Sequence, residues 1–227
     1  MTNLPYVYAA LLDILGYRNH LNADRSSGSL DFKNALVNAL SVLTTVNDAI
    51  YKCQSISDTI TITCSSRDDF VEFLEVLKSV QIAFLRNGLH LRGGITFQQH
   101  FHSGNITYSH AFARAYELES TYAIYPRIVI DRNIIDMFDS RSMLRELLNP
   151  KLICHQNNVF FLNILDESNW NEIFEAAKII FGKSEKELQK NENALIKHAW
   201  FEEYLMSSPY VNSNSKRYIP CIEIYKN

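Results

Sequence analysis

In the first part of the chain, the spacing at which hydrophobic residues recur changes several times, which predicts alternating strands and helices. An apolar run predicts a strand over residues 5–13, and polar residues predict a loop over residues 20–29. From Asp31, apolar residues recur at helical spacing and predict a helix of about 20 residues. Ile alternating with Thr and Ser then predicts a hairpin over residues 55–64, with Ser57 and Asp58 at its tip.

The middle of the chain continues the same alternation. A helix is predicted to begin near residue 70 and to end at Gly88. The elements predicted after it are a strand over residues 89–97, a polar turn over residues 98–105, a short strand over residues 106–108, a helix over residues 109–121 and a strand over residues 125–131. This order, β-α-β-β-α-β-β-α-β, predicts an α+β fold with helices on one face of an antiparallel sheet.

The last third of the chain predicts mainly helices. Its predicted elements are a helix over residues 133–148, a strand over residues 158–165, one or two helices over residues 170–205 and a late strand over residues 219–225. Any break in the long helical region is expected at Gly182 and Ser184. We expect residues 1–131 to form a core and residues 132–227 to be an extension that completes the same domain.

Composition narrows the range of functions. The 227 residues are 47% hydrophobic and 21% charged, with a net charge of −3, so no overall basic field attracts nucleic acid. No apolar run is long enough for a membrane helix, and no charged leader precedes an apolar segment at the N-terminus. The four cysteines are scattered, which predicts reduced thiols. We therefore expect a cytoplasmic protein without a membrane or nucleic-acid partner.

The first candidate for chemistry is Asp13, at the end of the first apolar run. A carboxylate there needs a partner that offsets its desolvation, and a divalent cation is a common one in nucleotide chemistry. The turn that follows, over residues 14–19, contains Gly16 and would offer backbone N–H groups to a polyphosphate. The alternative is that Asp13 is only a structural cap or turn former.

Asp58 and Arg92 strengthen the case for chemistry. Asp58 lies at a hairpin tip that could lie beside Asp13, and two converging carboxylates repel unless cations lie between them. Two Mg²⁺ or Mn²⁺ ions would suit such a pair; the alternative is two unrelated turn residues. Arg92 offers a fork of donors suited to phosphate, and the glycines beside it would leave room for a ligand. Its alternative role is a salt bridge on an edge strand.

These residues resemble a known family. The runs Leu-Leu-Asp-Ile-Leu-Gly-Tyr at residues 11–17, Ser-Asp at residues 57–58 and Leu-Arg-Gly-Gly-Ile at residues 91–95 look like the catalytic domain of class III nucleotidyl cyclases. Ala-Phe-Ala-Arg-Ala-Tyr-Glu-Leu-Glu-Ser at residues 111–120 and Tyr-Pro-Arg-Ile-Val-Ile at residues 125–130 are similar, more narrowly, to the pyrimidine cyclases of Pycsar antiphage systems.

The resemblance covers residues 5–131 and implies both fold and activity. The implied fold is a ferredoxin-like core, an antiparallel sheet with helices packed on it, followed by C-terminal helical additions. The implied enzyme converts UTP or CTP to the 3′,5′-cyclic monophosphate and pyrophosphate with two divalent cations, Mn²⁺ or Mg²⁺, and makes a second messenger in bacterial antiphage defence. The family acts as a head-to-tail homodimer with composite sites, in which metals and base contacts come from different subunits.

By position, the resemblance also assigns residues. Asp13 and Asp58 match the metal-binding aspartates, and the carbonyl of Ile14 matches an auxiliary metal ligand. The turn after the first strand matches the triphosphate-binding backbone, and Arg92 matches an arginine that contacts the phosphate tail. The residues expected to contact the nucleotide are Gly16, Tyr17, Tyr51, Gln54 and Arg92.

The chain departs from the purine cyclases on the helix over residues 109–121. They place an Asn and an Arg there, where this chain has Ala113 and Glu117, so the usual transition-state arginine is missing. Arg114 lies one turn before Glu117 on nearly the same face of the helix, and we expect it to be the catalytic substitute. The alternative is that Arg114 forms a surface salt bridge.

Three further positions bear on the base. Gln54 stands where a purine-selecting Lys is expected, and Ile106 stands where an adenine-reading Asp is found. Both favour a pyrimidine, with UTP preferred and CTP next. Tyr51 is bulky enough to shorten a base pocket, although a tyrosine of this kind is more often a core residue. Two rival functions remain: a purine cyclase that uses ATP or GTP, and a catalytically inactive, nucleotide-binding dimerisation module, which the missing arginine favours.

Overall fold

The computed structural model describes residues 4–148 and 150–220. The strands are β1 (Tyr6–Ile14), β2 (Tyr51–Ile56), β3 (Thr59–Cys64), β4 (Leu91–Ser103), β5 (Ile106–Ser109), β6 (Ile128–Ile130), β7 (Ile153–Gln156) and β8 (Val159–Leu162). The α-helices are α1 (Tyr17–Ser27), α2 (Asp31–Leu40), α3 (Phe70–Arg86), α4 (His110–Thr121), α5 (Arg132–Ser140), α6 (Leu144–Leu148), α7 (Trp170–Leu188) and α8 (Glu192–Met206). A 3₁₀ helix, Ser41–Thr45, follows α2.

The first four strands and the helices between them form a ferredoxin-like βαββαβ unit. Their order in the sheet is β2-β3-β1-β4, and each neighbouring pair is antiparallel. The crossover through α1 and α2 places β2 beyond β3, and the crossover through α3 places β4 on the other side of β1. The predicted fold class, an α+β core of ferredoxin-like type, is confirmed.

The sheet continues beyond this unit. β6 pairs with β4 in parallel, β8 and β7 follow it as antiparallel neighbours, and β5 folds back on the distal end of β4. The sheet is therefore mixed rather than antiparallel throughout, and it extends past residue 131. That residues 132–227 complete the same domain as the core stays a prediction.

Helices pack on both faces of the sheet, whereas the sequence predicted one covered face. Alternate residues of β1 point to opposite sides. On one side, the ring of Tyr8 lies 4.7 Å from that of Phe70 at the start of α3. On the other, Val7 and Ala9 form a buried cluster with Ala111 of α4. The reason is that β1 is apolar at successive positions, and a strand apolar on both faces has to be covered on both.

Two predictions in the N-terminal half are wrong in their extent. Residues 20–29 were predicted as a loop, but most of them lie in α1. That helix buries none of its residues, so it leaves no hydrophobic stripe by which to recognise it. The helix of about 20 residues predicted from Asp31 ends at Leu40 and continues only as a 3₁₀ turn, where Val42, Thr44 and Thr45 are stiff β-branched residues.

The C-terminal half also differs in detail. The helix predicted over residues 133–148 is divided into α5 and α6, and β7 had not been predicted. The break expected at Gly182 and Ser184 is instead between α7 and α8, where the side chain of Asn191 accepts from the N–H of Ala194 and caps α8. Gly182 lies inside α7 because packing overrides its weak helix propensity.

The chain divides into two compact units, residues 1–164 and residues 165–227. In the second unit, the indole N–H of Trp170 donates to the carbonyl of Leu205, which joins α7 to α8. Among the described residues, none of the helices has the length and apolar character that crossing a membrane requires. Of the strand predicted over residues 219–225, all but the first two residues lie outside the described part of the chain.

The paired glycines of β4 permit close contacts of this strand with α4 and with β1. A Cβ atom at Gly94 would lie 2.5 Å from the carbonyl oxygen of Ala115 and 2.6 Å from the Cβ of Leu118, both in α4. A Cβ at Gly93 would lie 2.5 Å from the carbonyl oxygen of Leu11. The space beside Arg92 is therefore filled by the chain itself, and the expectation that the glycines leave room for a ligand is wrong.

We expect Gly94→Ala to lower the free energy of unfolding by about 1–3 kcal/mol, because the added methyl group meets helix backbone that cannot move independently. Urea unfolding of purified protein measures this. Gly182→Ala is the matched control: nothing lies within 4 Å of its added Cβ, and in a helix interior the change should raise stability by about 1 kcal/mol. An unchanged stability for Gly94→Ala would contradict the close packing of α4 on β4.

Candidate active site

Asp13 lies near the end of β1, between two neighbouring strands. It pairs with Thr59 of β3 on one side and with Arg92 of β4 on the other. Its side chain is 21% exposed, although the strand leading to it is buried. The buried strand therefore ends with the Asp13 carboxylate at the border between the core and solvent.

Asp58 comes to the same end of the sheet. Ser57 and Asp58 form the two-residue turn between β2 and β3, as predicted, and Ser57 has a positive φ of 59°. The N–H of Ile14 donates to the carbonyl of Asp58 at 3.1 Å, which ties the hairpin tip to the end of β1. The structure thus brings Asp13, Ile14 and Asp58 together along the backbone.

The candidate metal ligands at this end of the sheet suit a hard divalent cation. Two carboxylates and a main-chain carbonyl are oxygen ligands, which Mg²⁺ and Mn²⁺ prefer over imidazole or thiolate. Within the described ranges, no group of three or more His, Cys, Asp or Glu side chains forms a ready metal cluster. A cation held here would therefore take its remaining oxygens from water or from the phosphates of a nucleotide, as Mg²⁺ usually does.

The turn after Asp13 leads directly into the N-terminus of α1. Gly16 is the N-cap residue with φ of 76°, a conformation that glycine adopts without strain. It has no side chain with which to cap the first N–H groups of the helix, which have no partner within the helix itself. The N–H of Leu15 donates to the carbonyl of His90 at 3.0 Å, and the ring of Tyr17 packs edge-on against Phe32. These contacts fix the turn where a helix N-terminus favours an anion.

Arg92 does not extend into solvent; all three of its guanidinium nitrogens have protein partners. Nε lies 2.8 Å from a carboxylate oxygen of Asp13, and a terminal nitrogen lies 2.6 Å from a carboxylate oxygen of Glu119. The other terminal nitrogen donates to the carbonyl of Ala123 at 3.5 Å. The predicted contact with a phosphate tail therefore requires Arg92 to change at least one partner.

Sequence reasoning missed Glu119. It lies on α4 with its side chain 5% exposed, on the same face as the buried residues Ala111, Ala115 and Leu118. A Glu on the buried stripe of an amphipathic helix was the available signal, since a carboxylate in that position needs a paired charge. Here the charge comes from Arg92.

Arg114 forms a second ion pair, in which the carboxylate is buried and the guanidinium is partly exposed. Its Nε and one terminal nitrogen donate to the two carboxylate oxygens of Asp131 at 2.9 and 3.0 Å, and the other terminal nitrogen donates to Glu117 at 2.8 Å. Asp131 is 1% exposed and also accepts from the hydroxyl of Thr96. The hydrogen bonds that Arg114 donates to Asp131, and then the one that it donates to Glu117, raise the pKa of Arg114 above its usual value. Asp131 was also missed from the sequence.

Arg114 and Asp13 do not lie together in one chain. Asp13 faces Arg92, whereas Asp131 receives a hydrogen bond from Thr96 and donates its own N–H to the carbonyl of Ile95. Asp13 is therefore level with Arg92 of β4, and Asp131 is level with Ile95 and Thr96. These two positions along β4 are three to four residues apart, or roughly 10–13 Å. The residues predicted for metal binding and for transition-state stabilisation are thus held at different levels of the same sheet.

The residues predicted to contact the base also lie apart from Asp13. Gln54 is exposed on β2, and Ile106 is exposed at the start of β5. Tyr51 is buried, with its ring stacked 6.3 Å from that of Phe73, and burial raises its pKa to about 12. It pairs with Cys64 at the end of β3 far from the hairpin tip, so in this chain it occupies the core position that the sequence left as its alternative.

Comparison with known structures shows similarity to cyclase domains, at low sequence identity. No family model and no curated protein sequence matches the chain. The monomeric guanylyl cyclase domain of the RhoGC fusion protein from the aquatic fungus Blastocladiella emersonii is 12% identical, with a TM-score of 0.45 over 70% of this chain and 95% of that one. The guanylate cyclase domain of RhGC from Catenaria anguillulae in complex with GTP is 10% identical, with a TM-score of 0.44 over 70% and 97%.

A bacterial light-regulated adenylyl cyclase is similar to the same extent. It is 10% identical to this chain, with a TM-score of 0.44, and the alignment covers 78% of this chain and 99% of that one. At such identities, the function of this chain has to be argued from its own residues.

We expect Arg114→Met to lower the free energy of unfolding by about 3 kcal/mol, because the buried carboxylate of Asp131 loses its counter-charge. Chemical denaturation followed by far-ultraviolet circular dichroism measures the change. Arg132→Met is the matched control, since Arg132 pairs with Asp136 on an exposed face, and that change should cost about 1 kcal/mol or less. Equal effects of the two substitutions would show that the Asp131 pair has no special weight.

Proposed function

We propose that this chain is a nucleotidyl cyclase of the class III type. The observation that carries the proposal is the register of β1 with β3 and the hydrogen bond from Ile14 to the carbonyl of Asp58, which bring Asp13 and Asp58 to one end of the sheet. The N-terminus of α1 begins four residues after Asp13. Carboxylates beside a helix N-terminus suit a bound nucleotide triphosphate with its divalent cations.

The residues have separate tasks in this reaction. Asp13, Asp58 and the carbonyl of Ile14 would hold two divalent cations, Mg²⁺ or Mn²⁺. When bound, these cations lower the pKa of a ribose hydroxyl and neutralise phosphate charge. Gly16 and Tyr17 present the N–H groups of the turn to the triphosphate. The ribose 3′-oxygen loses its proton and forms a bond to the α-phosphorus, the bond to the bridging oxygen breaks, and pyrophosphate leaves.

The proposed substrate is a pyrimidine nucleotide, with UTP preferred over CTP. Gln54 and Ile106 support this choice, because neither supplies the charged group that the purine cyclases use at the matching position. The likeness of residues 111–130 to the Pycsar cyclases supports a role as the source of a cyclic nucleotide second messenger in bacterial antiphage defence. Such a role would place the protein in the cytoplasm.

The proposed active form is a head-to-tail homodimer. Asp13 and Arg114 lie at different levels of the sheet in one chain, so a site that needs both has to draw them from two chains. Gln54, which does not reach Asp13 in one chain, would likewise belong to the site on the partner side. Arg114 is the candidate to stabilise the negative charge that develops in the transition state. To do so, it would have to divide its hydrogen bonds between Asp131 and the substrate, or release Asp131.

One alternative has a specific observation in its favour. The guanidinium groups of Arg92 and Arg114 are both occupied by carboxylates of the protein, which is what an inactive, nucleotide-binding dimerisation module would show. Two acidic residues that could hold metal are nevertheless present, and a module without catalysis does not need them. The cyclase is therefore the stronger proposal.

We expect purified protein to convert UTP, and CTP more slowly, to the 3′,5′-cyclic monophosphate in the presence of Mn²⁺. Chromatography of the products from each of the four nucleoside triphosphates measures this. Asp13→Asn and Asp58→Asn should each reduce turnover by more than about 100-fold, because even the outer partners of metal ligands are typically worth 10–100-fold. Asp136→Asn, on an exposed face of α5, should leave turnover unchanged.

The possible outcomes separate the candidates. Turnover of ATP or GTP in preference to pyrimidines would make the chain a purine cyclase. Binding of nucleotide without turnover of any of the four would favour the inactive module. Retained activity in Asp13→Asn or Asp58→Asn would remove the observation on which the assignment depends.

A further inference from the structure

We propose that Glu119 sets the affinity of Asp13 for a divalent cation, because the two carboxylates share the guanidinium of Arg92. This inference rests on the proposed metal-binding role of Asp13. It assigns Glu119 as a positioning residue that acts through Arg92 and does not itself touch the metal. It also gives Arg92 a task in the metal-free protein, in addition to its expected contact with phosphate.

The geometry shows why the two carboxylates are coupled. Arg92 lies between a strand and a helix: its Nε is 2.8 Å from Asp13 of β1, and a terminal nitrogen is 2.6 Å from Glu119 of α4. One positive charge is thus shared by two negative ones. A change at either carboxylate alters how firmly Arg92 is held by the other.

Arg92 competes with a metal ion for Asp13. Both are cations, and the guanidinium already takes one oxygen of the Asp13 carboxylate in this structure. A divalent cation beside the same carboxylate would repel the guanidinium, and the repulsion is weakly screened where the groups are partly buried. Binding of the metal therefore requires Arg92 to weaken or release its contact with Asp13.

Glu119 makes that release inexpensive. It is 5% exposed and lies on a helix that packs directly against Gly94, so it is held in place beside Arg92. A carboxylate this buried needs a counter-charge in every state of the protein. Arg92 consequently keeps a partner on α4 when it leaves Asp13, and its charge is partly neutralised there. Without Glu119, the whole positive charge of Arg92 would fall on Asp13.

The test measures Mn²⁺ binding to the purified full chain, without nucleotide, from the loss of the free Mn²⁺ electron paramagnetic resonance signal. Glu119→Gln should weaken Mn²⁺ binding by about tenfold, the scale on which outer partners of metal ligands act. Asp13→Asn should remove this binding and so locate it. Glu75→Gln, an exposed residue of α3 on the other face of the sheet, is the charge-matched control and should bind as the wild type does.

A double variant separates positioning from general damage. In Glu119→Gln/Arg92→Gln the competing cation is gone, so Mn²⁺ binding should return to the wild-type affinity or become tighter. If Glu119 only supports the fold, the double variant would bind as weakly as Glu119→Gln or more weakly. Thermal unfolding of each variant reports whether the fold is intact and is independent of metal binding.

The outcomes also distinguish this inference from the proposed function. Wild-type affinity in Glu119→Gln, failure of the double variant to recover, or absence of any Mn²⁺ binding that depends on Asp13 would each overturn the inference. If the binding pattern holds but no nucleotide is turned over, the cyclase proposal fails and the coupling of Glu119 to Asp13 stands. If turnover is found while Glu119→Gln binds Mn²⁺ normally, the reverse applies.

Discussion

A carboxylate at the end of a buried strand needs a cation beside it, and this requirement organises one end of the molecule. Asp13 arrives there because β1 is apolar nearly to its end. In this structure the cation is the guanidinium of Arg92, delivered by the antiparallel neighbour β4 at the directly opposite position. Glu119 enters from α4 and completes a group of one positive and two negative charges. The ion pair that joins α4 to the sheet and the metal binding that we propose for Asp13 thus depend on the same arginine.

Much of this architecture could be predicted from the sequence, because its strands have clear patterns. The alternation of Ile and Thr over Thr59–Cys64 placed β3 and the tip of the hairpin correctly. The paired glycines of β4 were recognised as unusual, but the space beside them is filled by α4 and β1 and not by a ligand. The approach of Asp58 to the end of β1 followed from the prediction of β1 and β3, since Asp13 pairs with Thr59, the residue after Asp58.

The parts that could not be predicted depend on contacts between distant residues. The sequence marks Glu119 only by its place on an apolar helix stripe and does not mark Asp131 at all. The arginine partner of each lies on another element of the fold. The helix α1 was missed because it buries none of its residues, so the usual hydrophobic signal is absent. The covering of the second face of the sheet by α4 likewise depends on tertiary packing and not on local pattern.

β4 fixes the relative positions of the ion pairs of Arg92 and of Arg114. Arg92, Gly94 and Thr96 are alternate residues of one strand and therefore face the same side, towards Asp13, α4 and Asp131 respectively. A single residue inserted or deleted between them would turn one part of this set to the opposite face. A change of length is consequently expected to be tolerated at places such as the turn at Gly104, beyond the end of the strand, and not between Arg92 and Thr96. The regular rise of the strand fixes the spacing of the charged groups, so the number of residues in β4 is as much a part of the site as any side chain.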